Sequence, residues 1–169
     1  MINLKDFMVI NKKRMEILKK DSNLKNEIEK FTNTKVEFND DITIEGESFD
    51  VYQAKNVLKA FGRGFCLNDS FYLLEDVYCL EIIDLSEFAN SKNRLITLKA
   101  RIIGTEGKTK KYIEDYTGVK ISVFGKTTSI LGKWDNVNKA KYAIMKLIEG
   151  CMHKTLYRWL EKQGRKDDW

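Results

Sequence analysis

Arg101-Ile102-Ile103-Gly104-Thr105-Glu106-Gly107-Lys108-Thr109-Lys110-Lys111 is the stretch that decides how this chain is read. Leu95 to Ile103 places Leu95, Leu98 and Ile102 on one face of a helix. Thr109 to Tyr116 predicts a second helix, with Gly118 as its C-cap. Gly104-Thr105-Glu106-Gly107 is the tight turn between them. Glycine lets a phosphodiester backbone approach with no Cβ in the way. The second helix begins at the turn, so its free N–H groups and the positive end of its dipole face that phosphate. Arg101, Lys108, Lys110 and Lys111 add positive charge around the same point. A Gly-x-x-Gly turn alone is also an ordinary helix connector with solvated lysines, so its meaning depends on the elements around it.

Those elements occur twice. Phe31-Thr32 matches Tyr116-Thr117 at an offset of 85, and Val36-Glu37-Phe38 lies opposite Ile121-Ser122-Val123 at the same offset. Ile44-Glu45-Gly46 against Ile130-Leu131-Gly132, Ala54-Lys55 against Ala140-Lys141 and Gly64 against Gly150 all fall at 86. A near-constant offset with one slip is the mark of a duplicated unit. In the first copy, Phe7–Ile10 reads as a strand, and Lys12–Lys20 and Leu24–Phe31 as helices broken at Asp21-Ser22-Asn23. Lys35–Asn39 and Ile42–Ile44 read as strands, with Gly46 as a stop, and Phe49–Phe61 as a helix. In the second copy, Val77–Ile83 is the strand before the two helices. Lys120–Phe124 and Thr127–Leu131 follow as strands, then a long helix that Asp135 caps and that runs to Glu149. Asn68–Leu74 reads as a short acidic helix between the copies, and Thr155–Lys162 as an amphipathic helix after them.

A Gly-x-x-Gly turn inside a β-α-α-β-β-α unit is the layout of a KH domain, which clamps about four single-stranded nucleotides. The expected fold is therefore α+β, with two tandem type I KH domains. They span 1–64 and 77–150, with a linker helix within 65–76 and a C-terminal tail helix within 151–169.

Charge supports a polyanionic partner. The 169 residues carry a net charge of +5. Residues 1–64 hold 12 Lys and Arg against 11 Asp and Glu; 65–90 hold six acids and no Lys or Arg; 91–169 hold 18 cations against eight acids. An acidic waist thus separates a neutral half from a basic one. No apolar run approaches the ~18 residues of a membrane span, and the first residues have no apolar signal core. Three scattered cysteines (Cys66, Cys79, Cys151) form neither a disulfide framework nor a zinc motif, and read as buried thiols of a reducing cytoplasm. With His153 the only histidine, triads and His-ligated metals have little basis. No catalytic residue, metal site or cofactor is expected.

Lys55–Phe65 (KNVLKAFGRGF), Leu80–Leu85 (LEIIDL), Arg101–Ile113 (RIIGTEGKTKKYI), Phe124–Gly132 (FGKTTSILG) and His153–Glu161 (HKTLYRWLE) together resemble the archaeal members of the partner-of-Nob family. These are two-KH-domain small-subunit ribosome assembly factors, and the resemblance covers nearly the whole chain. It implies binding to the single-stranded 3′ region of 16S-type rRNA during small-subunit maturation. It also implies company with the PIN-domain endonuclease that trims that end, and contact with the alpha subunit of initiation factor two.

Two positions depart from the family pattern. The first copy has Lys20-Asp21-Ser22-Asn23 in place of Gly-x-x-Gly, which adds Cβ atoms and a carboxylate on the phosphate path. It is expected to pack against the second copy or a protein rather than clamp RNA. Thr105 stands where the family often has lysine, leaving Glu106 unopposed within the loop. The RNA-binding residues expected are Arg101, Ile103, Gly104, Thr105, Glu106, Gly107, Lys108, Thr109, Lys110 and Lys111 at the loop. Lys120 and Ser122 on the following strand, Lys126 in the hairpin turn, and His153 and Arg158 near the tail-helix start complete the set. If about four phosphates are neutralised, log K falls with log salt at a slope of roughly −3. The rival readings are a protein-binding scaffold with little RNA affinity, a general KH regulator, and a magnesium nuclease built from the waist carboxylates. No nucleophile–base pair supports the last.

Overall fold

The computed structural model describes residues 3–164, which form two compact units divided between Asp76 and Val77. Among the described residues no helix is long and apolar enough to cross a membrane.

The first unit runs β1 (Asn3–Met8), α1 (Lys12–Lys20), α2 (Ser22–Thr32), β2 (Lys35–Phe38), β3 (Ile42–Glu47), α3 (Ser48–Gly62) and α4 (Leu67–Ser70), then a 3-10 turn at Phe71–Leu74. The second runs β4 (Tyr78–Asp84), a 3-10 turn at Leu85–Phe88, α5 (Lys92–Ile103), α6 (Lys108–Thr117), β5 (Lys120–Phe124), β6 (Thr127–Lys133), α7 (Trp134–Ile148) and α8 (His153–Gln163). Each unit has one antiparallel three-stranded sheet, ordered β1-β3-β2 and β4-β6-β5. The last strand in sequence is thus the central one, and β2 and β5 are left at an edge.

Period-2 burial explains the layering. Ile42, Ile44 and Val36 turn inward to meet Leu18, Ile28, Ala54 and Leu58 of the first core. Ile83, Ile121 and Ile130 meet Leu98, Ile102, Ile113 and Ile144 of the second.

The duplication reaches individual side chains. Arg14 donates from Nε to the Phe61 carbonyl (2.9 Å) and from Nη2 to Phe65 O (2.7 Å). Arg101 donates likewise to Leu147 O (3.1 Å) and Cys151 O (2.5 Å). Glu29 accepts from the Val36 N–H and Glu114 from the Ile121 N–H, both at 3.1 Å. Thr32 and Thr117 each donate to the carbonyl four residues back, at 2.6 Å. Lys55 pairs with Asp6 (2.8 Å) and Lys141 with Glu81 (2.6 Å), each tying the long helix to the first strand of its unit.

Several local expectations are corrected. β1 starts at Asn3 rather than Phe7 and ends at Met8, because it pairs with β3 from Asn3↔Glu47 to Met8↔Ile42. The same ladder carries β3 through Gly46, so that glycine does not stop the strand, and the β4–β6 ladder carries β6 past Leu131 to Lys133. The break between α1 and α2 is Asp21 alone. α5 begins three residues early, at Lys92, because Ser91 accepts from the Arg94 N–H. Asp135 does not cap α7. That helix starts at Trp134, whose N–H donates to Val77 O on the neighbouring strand segment, and Asp135 lies in its first turn. The segment 65–76, expected as a linker, belongs to the first unit, with Leu67 in its core and Gln53 Nε2 on Leu74 O (3.2 Å). α8 belongs to the second unit through Leu156 and Leu160, and the expected tail beyond residue 164 lies outside the described residues. The cysteines are not all buried. Cys66 is exposed, and its sulfur accepts from the Asp69 N–H at the start of α4; Cys79 and Cys151 are half-buried. Burial beside Glu81 pushes the Cys79 thiol up to about 11.

Candidate nucleic-acid interface

The two helix–helix connectors differ in one decisive respect. A helix begins with N–H groups that have no intrahelical partner. In the first unit Asp21 supplies one: its Oδ1 accepts from the Asn23 N–H at 2.9 Å, and a carboxylate rests at the positive end of α2. In the second unit α6 starts behind Gly107, and no side chain caps it. Its first N–H, at Lys108, donates to Thr105 O within the connector, and no side chain meets the N–H groups that follow.

The backbone of that connector needs its glycines. Gly104 has φ +74° and ψ 175°, a region open to glycine and almost nothing else. A Cβ there would overlap Thr109 Oγ1 and lie 2.8 Å from the Thr109 N. Gly107 has φ +75°, and a Cβ at that position would meet nothing within 4 Å. Gly104 thus answers to close packing inside the protein, whereas Gly107 faces open space that another backbone can enter. Between them Glu106 is held at φ +56°, an uncommon conformation for a residue with a side chain.

The expected site residues fall into three groups. Thr105, Glu106, Lys108 and Lys111 are exposed at the connector and the first turn of α6, Gly107 is partly exposed there, and Ile103 is half-buried at the end of α5. Lys110 is half-buried and lies 3.8 Å from Glu114, so part of its charge is met within the protein. Burial holds the Glu114 carboxyl above its usual range.

The second group serves the scaffold. Two donors of the Arg101 guanidinium are spent on the Leu147 and Cys151 carbonyls, at and just past the end of α7. Thr109 is buried, with its hydroxyl 2.8 Å from Tyr157 OH. The His153 Nε2–H donates to Arg101 O at 2.8 Å, so that ring holds backbone rather than standing open.

The third group lies on other elements. Lys120 and Ser122 are half-buried on β5. Lys126 is exposed on the β5–β6 turn, and its carbonyl accepts from the Leu85 N–H at 2.8 Å. Arg158 is exposed on α8.

Sequence reasoning missed Glu114, Tyr112 and Glu161. Tyr112 donates to Glu161 Oε1 (2.5 Å) and packs against Tyr116 and Tyr157 at 4.8 and 4.3 Å between ring centres. The bond to Glu161 is the main reason its phenol titrates well above the ordinary tyrosine range. Glu114 had a signal, since Glu29 precedes it by the repeat offset of 85.

The eukaryotic-type KH domain (KH-domain type I) matches residues 79–165. A KH domain-containing protein of Methanocaldococcus jannaschii is 37% identical over 169 residues, covering 95% of this chain and 74% of the relative. The pre-rRNA-processing protein pno1 of Emericella nidulans is 31% identical over 114 residues, 65% of this chain and 44% of that protein. Among solved structures, a chain of the a/eIF2alpha–aDim2p–rRNA complex of Pyrococcus horikoshii matches at 34% identity with a TM-score of 0.86, covering 95% of this chain and 94% of that one.

Proposed function

The chain belongs to the partner-of-Nob (Pno1/Dim2) family of KH-domain proteins, and on that premise we propose that it is a non-enzymatic, single-stranded rRNA-binding ribosome assembly factor. In this reading both units are type I KH domains in tandem, and the second one holds the RNA. Gly107 and the first turn of α6 receive a phosphate, and Lys108, Lys110 and Lys111 neutralise its neighbours. The ligand is the 3′ region of 16S-type rRNA, shielded or presented to a PIN-domain endonuclease, with the alpha subunit of initiation factor two as a further partner. The setting is the cytoplasm.

The observation that carries this is the uncapped start of α6 behind a Gly-x-x-Gly connector, set against the Asp21-capped start of α2 in the same chain. The P. horikoshii complex supports the choice of rRNA and of the initiation-factor subunit.

The test is fluorescence anisotropy with a labelled single-stranded oligonucleotide of the 16S rRNA 3′ region and a scrambled control. Wild type binds the rRNA sequence, and Thr105→Asp/Lys108→Glu loses binding at an unchanged thermal melt. Equal binding by both proteins moves the site elsewhere. Absence of binding by wild type favours a protein-binding scaffold, for which the Asp21 cap in the first unit is the precedent.

A further inference from the structure

We infer that α8 is the positioning element of the Gly104–Gly107 connector, with Tyr157 and His153 fixing from behind the two helix ends between which it is strung. The inference rests on the RNA-binding reading of that connector, and concerns residues that touch no RNA themselves.

Three observations carry it. The His153 Nε2–H donates to Arg101 O, a carbonyl in the last turn of α5, where the helix cannot supply its own donor. The Tyr157 hydroxyl bonds Thr109 Oγ1, and Thr109 is the buried side chain that a Cβ on Gly104 would overlap. Arg101 in turn holds Leu147 O and Cys151 O, which ties the end of α5 to the segment entering α8. Both ends of the connector are therefore referenced to one helix. Tyr112–Glu161 and the packing of Tyr112 against Tyr157 extend the same contact along α6.

The first unit is an internal control. It keeps the arginine anchor at Arg14 and the Glu29 and Thr32 bonds. Among its described residues, α3 is succeeded only by the four-residue α4 and a 3-10 turn. Phe71 of that turn packs on Phe31, near the far end of α2 from the connector. The supporting helix thus accompanies the connector with two glycines and not the one that caps itself. The physical need is plain. Glycine-bearing backbone has the most freedom to lose, and a loop ordered in the free protein does not bear that cost at binding.

The experiment uses the full chain with Tyr157→Phe, His153→Leu and His153→Gln. Tyr157→Phe keeps the ring and its packing; glutamine offers an amide N–H where Nε2 stood. Affinity for a single-stranded rRNA oligonucleotide, its salt slope, the thermal melt, and amide hydrogen exchange at residues 105–108 of the RNA-free protein are read together. Tyr157→Phe and His153→Leu each weaken binding about fivefold, the worth of one hydrogen bond, while His153→Gln returns to within about twofold of wild type. Exchange at the connector quickens in the two weakened variants, and the salt slope stays put. Wild-type affinity and exchange in both, with binding still lost in Lys108→Glu, overturn the inference and leave the RNA reading standing. A shallower salt slope also overturns it, because these side chains would then be meeting phosphates. Wild type that fails to bind RNA overturns both.

Discussion

Gly104→Ala and Gly107→Ala are the same chemical change at two positions with nearly equal φ, and they should behave differently. At Gly104 the new methyl would overlap the Thr109 hydroxyl, with the Thr109 Cβ at 2.7 Å and its N at 2.8 Å. None of these atoms is the tip of a flexible side chain: one belongs to a β-branched residue that is stiff at χ1, another to helix backbone. Two costs add. Holding alanine in a glycine-only region costs about 1–3 kcal/mol, and overpacking costs about 1–3 kcal/mol more. At Gly107 only a left-handed conformation is imposed, at about 1–2 kcal/mol, since the methyl meets nothing within 4 Å. For a domain of this size each kcal/mol moves the melt by about 4–8 °C, so Gly104→Ala lowers it by about 20 °C and Gly107→Ala by about 8 °C. Thermal denaturation followed by circular dichroism reads this directly. Adding Thr109→Ala to Gly104→Ala recovers only part of the loss, because the backbone N remains in the way; a double-mutant cycle isolates that part. RNA anisotropy completes the separation: Gly107→Ala stays folded but binds weakly, because its methyl fills the space a phosphate backbone should enter. Melts of Gly104→Ala and Gly107→Ala within about 3 °C of each other would refute the packing account of the connector.

The remaining predictions concern charge. Arg101→Met lowers the stability of the second unit by about 3 kcal/mol, from hydrogen bonds with a charged donor, and leaves the salt slope of RNA binding unchanged; denaturant melts and a salt titration check the two halves. Arg101→Lys does not rescue it, since a point charge cannot span both carbonyls. With Arg101 committed to the scaffold, three lysines remain at the connector, so the salt slope is about −2 rather than −3, and a titration giving −3 or steeper refutes that count. Glu114→Gln keeps an acceptor for the Ile121 N–H. Because burial raises the folded carboxyl above its unfolded value of 4.5, ionisation there opposes folding at neutral pH. The variant therefore melts at or above wild type at pH 7. Its advantage fades as pH falls through the folded pKa and is gone below about 4.5, which melts at two pH values test.

The connector is legible in the sequence because glycine chemistry is local: two small residues between an apolar-faced helix and a basic one leave few other readings. α1 and β5 are read with their true bounds for the same reason, their patterns being complete within nine and five residues. Arg101 reads in the sequence only as a counter-charge, because a cation beside a glycine-bearing turn looks like one. Its partners are backbone carbonyls 46 and 50 residues away, which leave no mark in the sequence. Only the repeat holds a clue, in Arg14 ahead of the corresponding carbonyls of the first unit. Gly46 misleads as a strand stop because a strand ends where its partner ends, and that partner is distant in sequence but adjacent in the sheet. Asp135 misleads because the first N–H of α7 is satisfied from the neighbouring strand segment at Val77 rather than by a side chain.

What the two units share and what they do not share separates stability from binding. The shared devices are all internal: an arginine on the last carbonyls of the long helix, a glutamate on an edge-strand N–H, a threonine on its own helix, a lysine on the first strand. Each joins groups of one unit to one another, and all occur in both copies. The connectors diverge, and the divergence stems from one requirement, that the first N–H groups of a helix find an acceptor. α2 finds it in Asp21 two residues from the N–H it satisfies. α6 has no such side chain, and its first turn is instead bordered by Gly107 and three lysines. The same geometric demand therefore yields a closed site in one copy and an open one in the other. A side chain that satisfies its own helix competes with any phosphate for the same N–H groups. The first copy thus closes its helix start with its own side chain, whereas in the second the Lys108 N–H turns to Thr105 O and no side chain follows it.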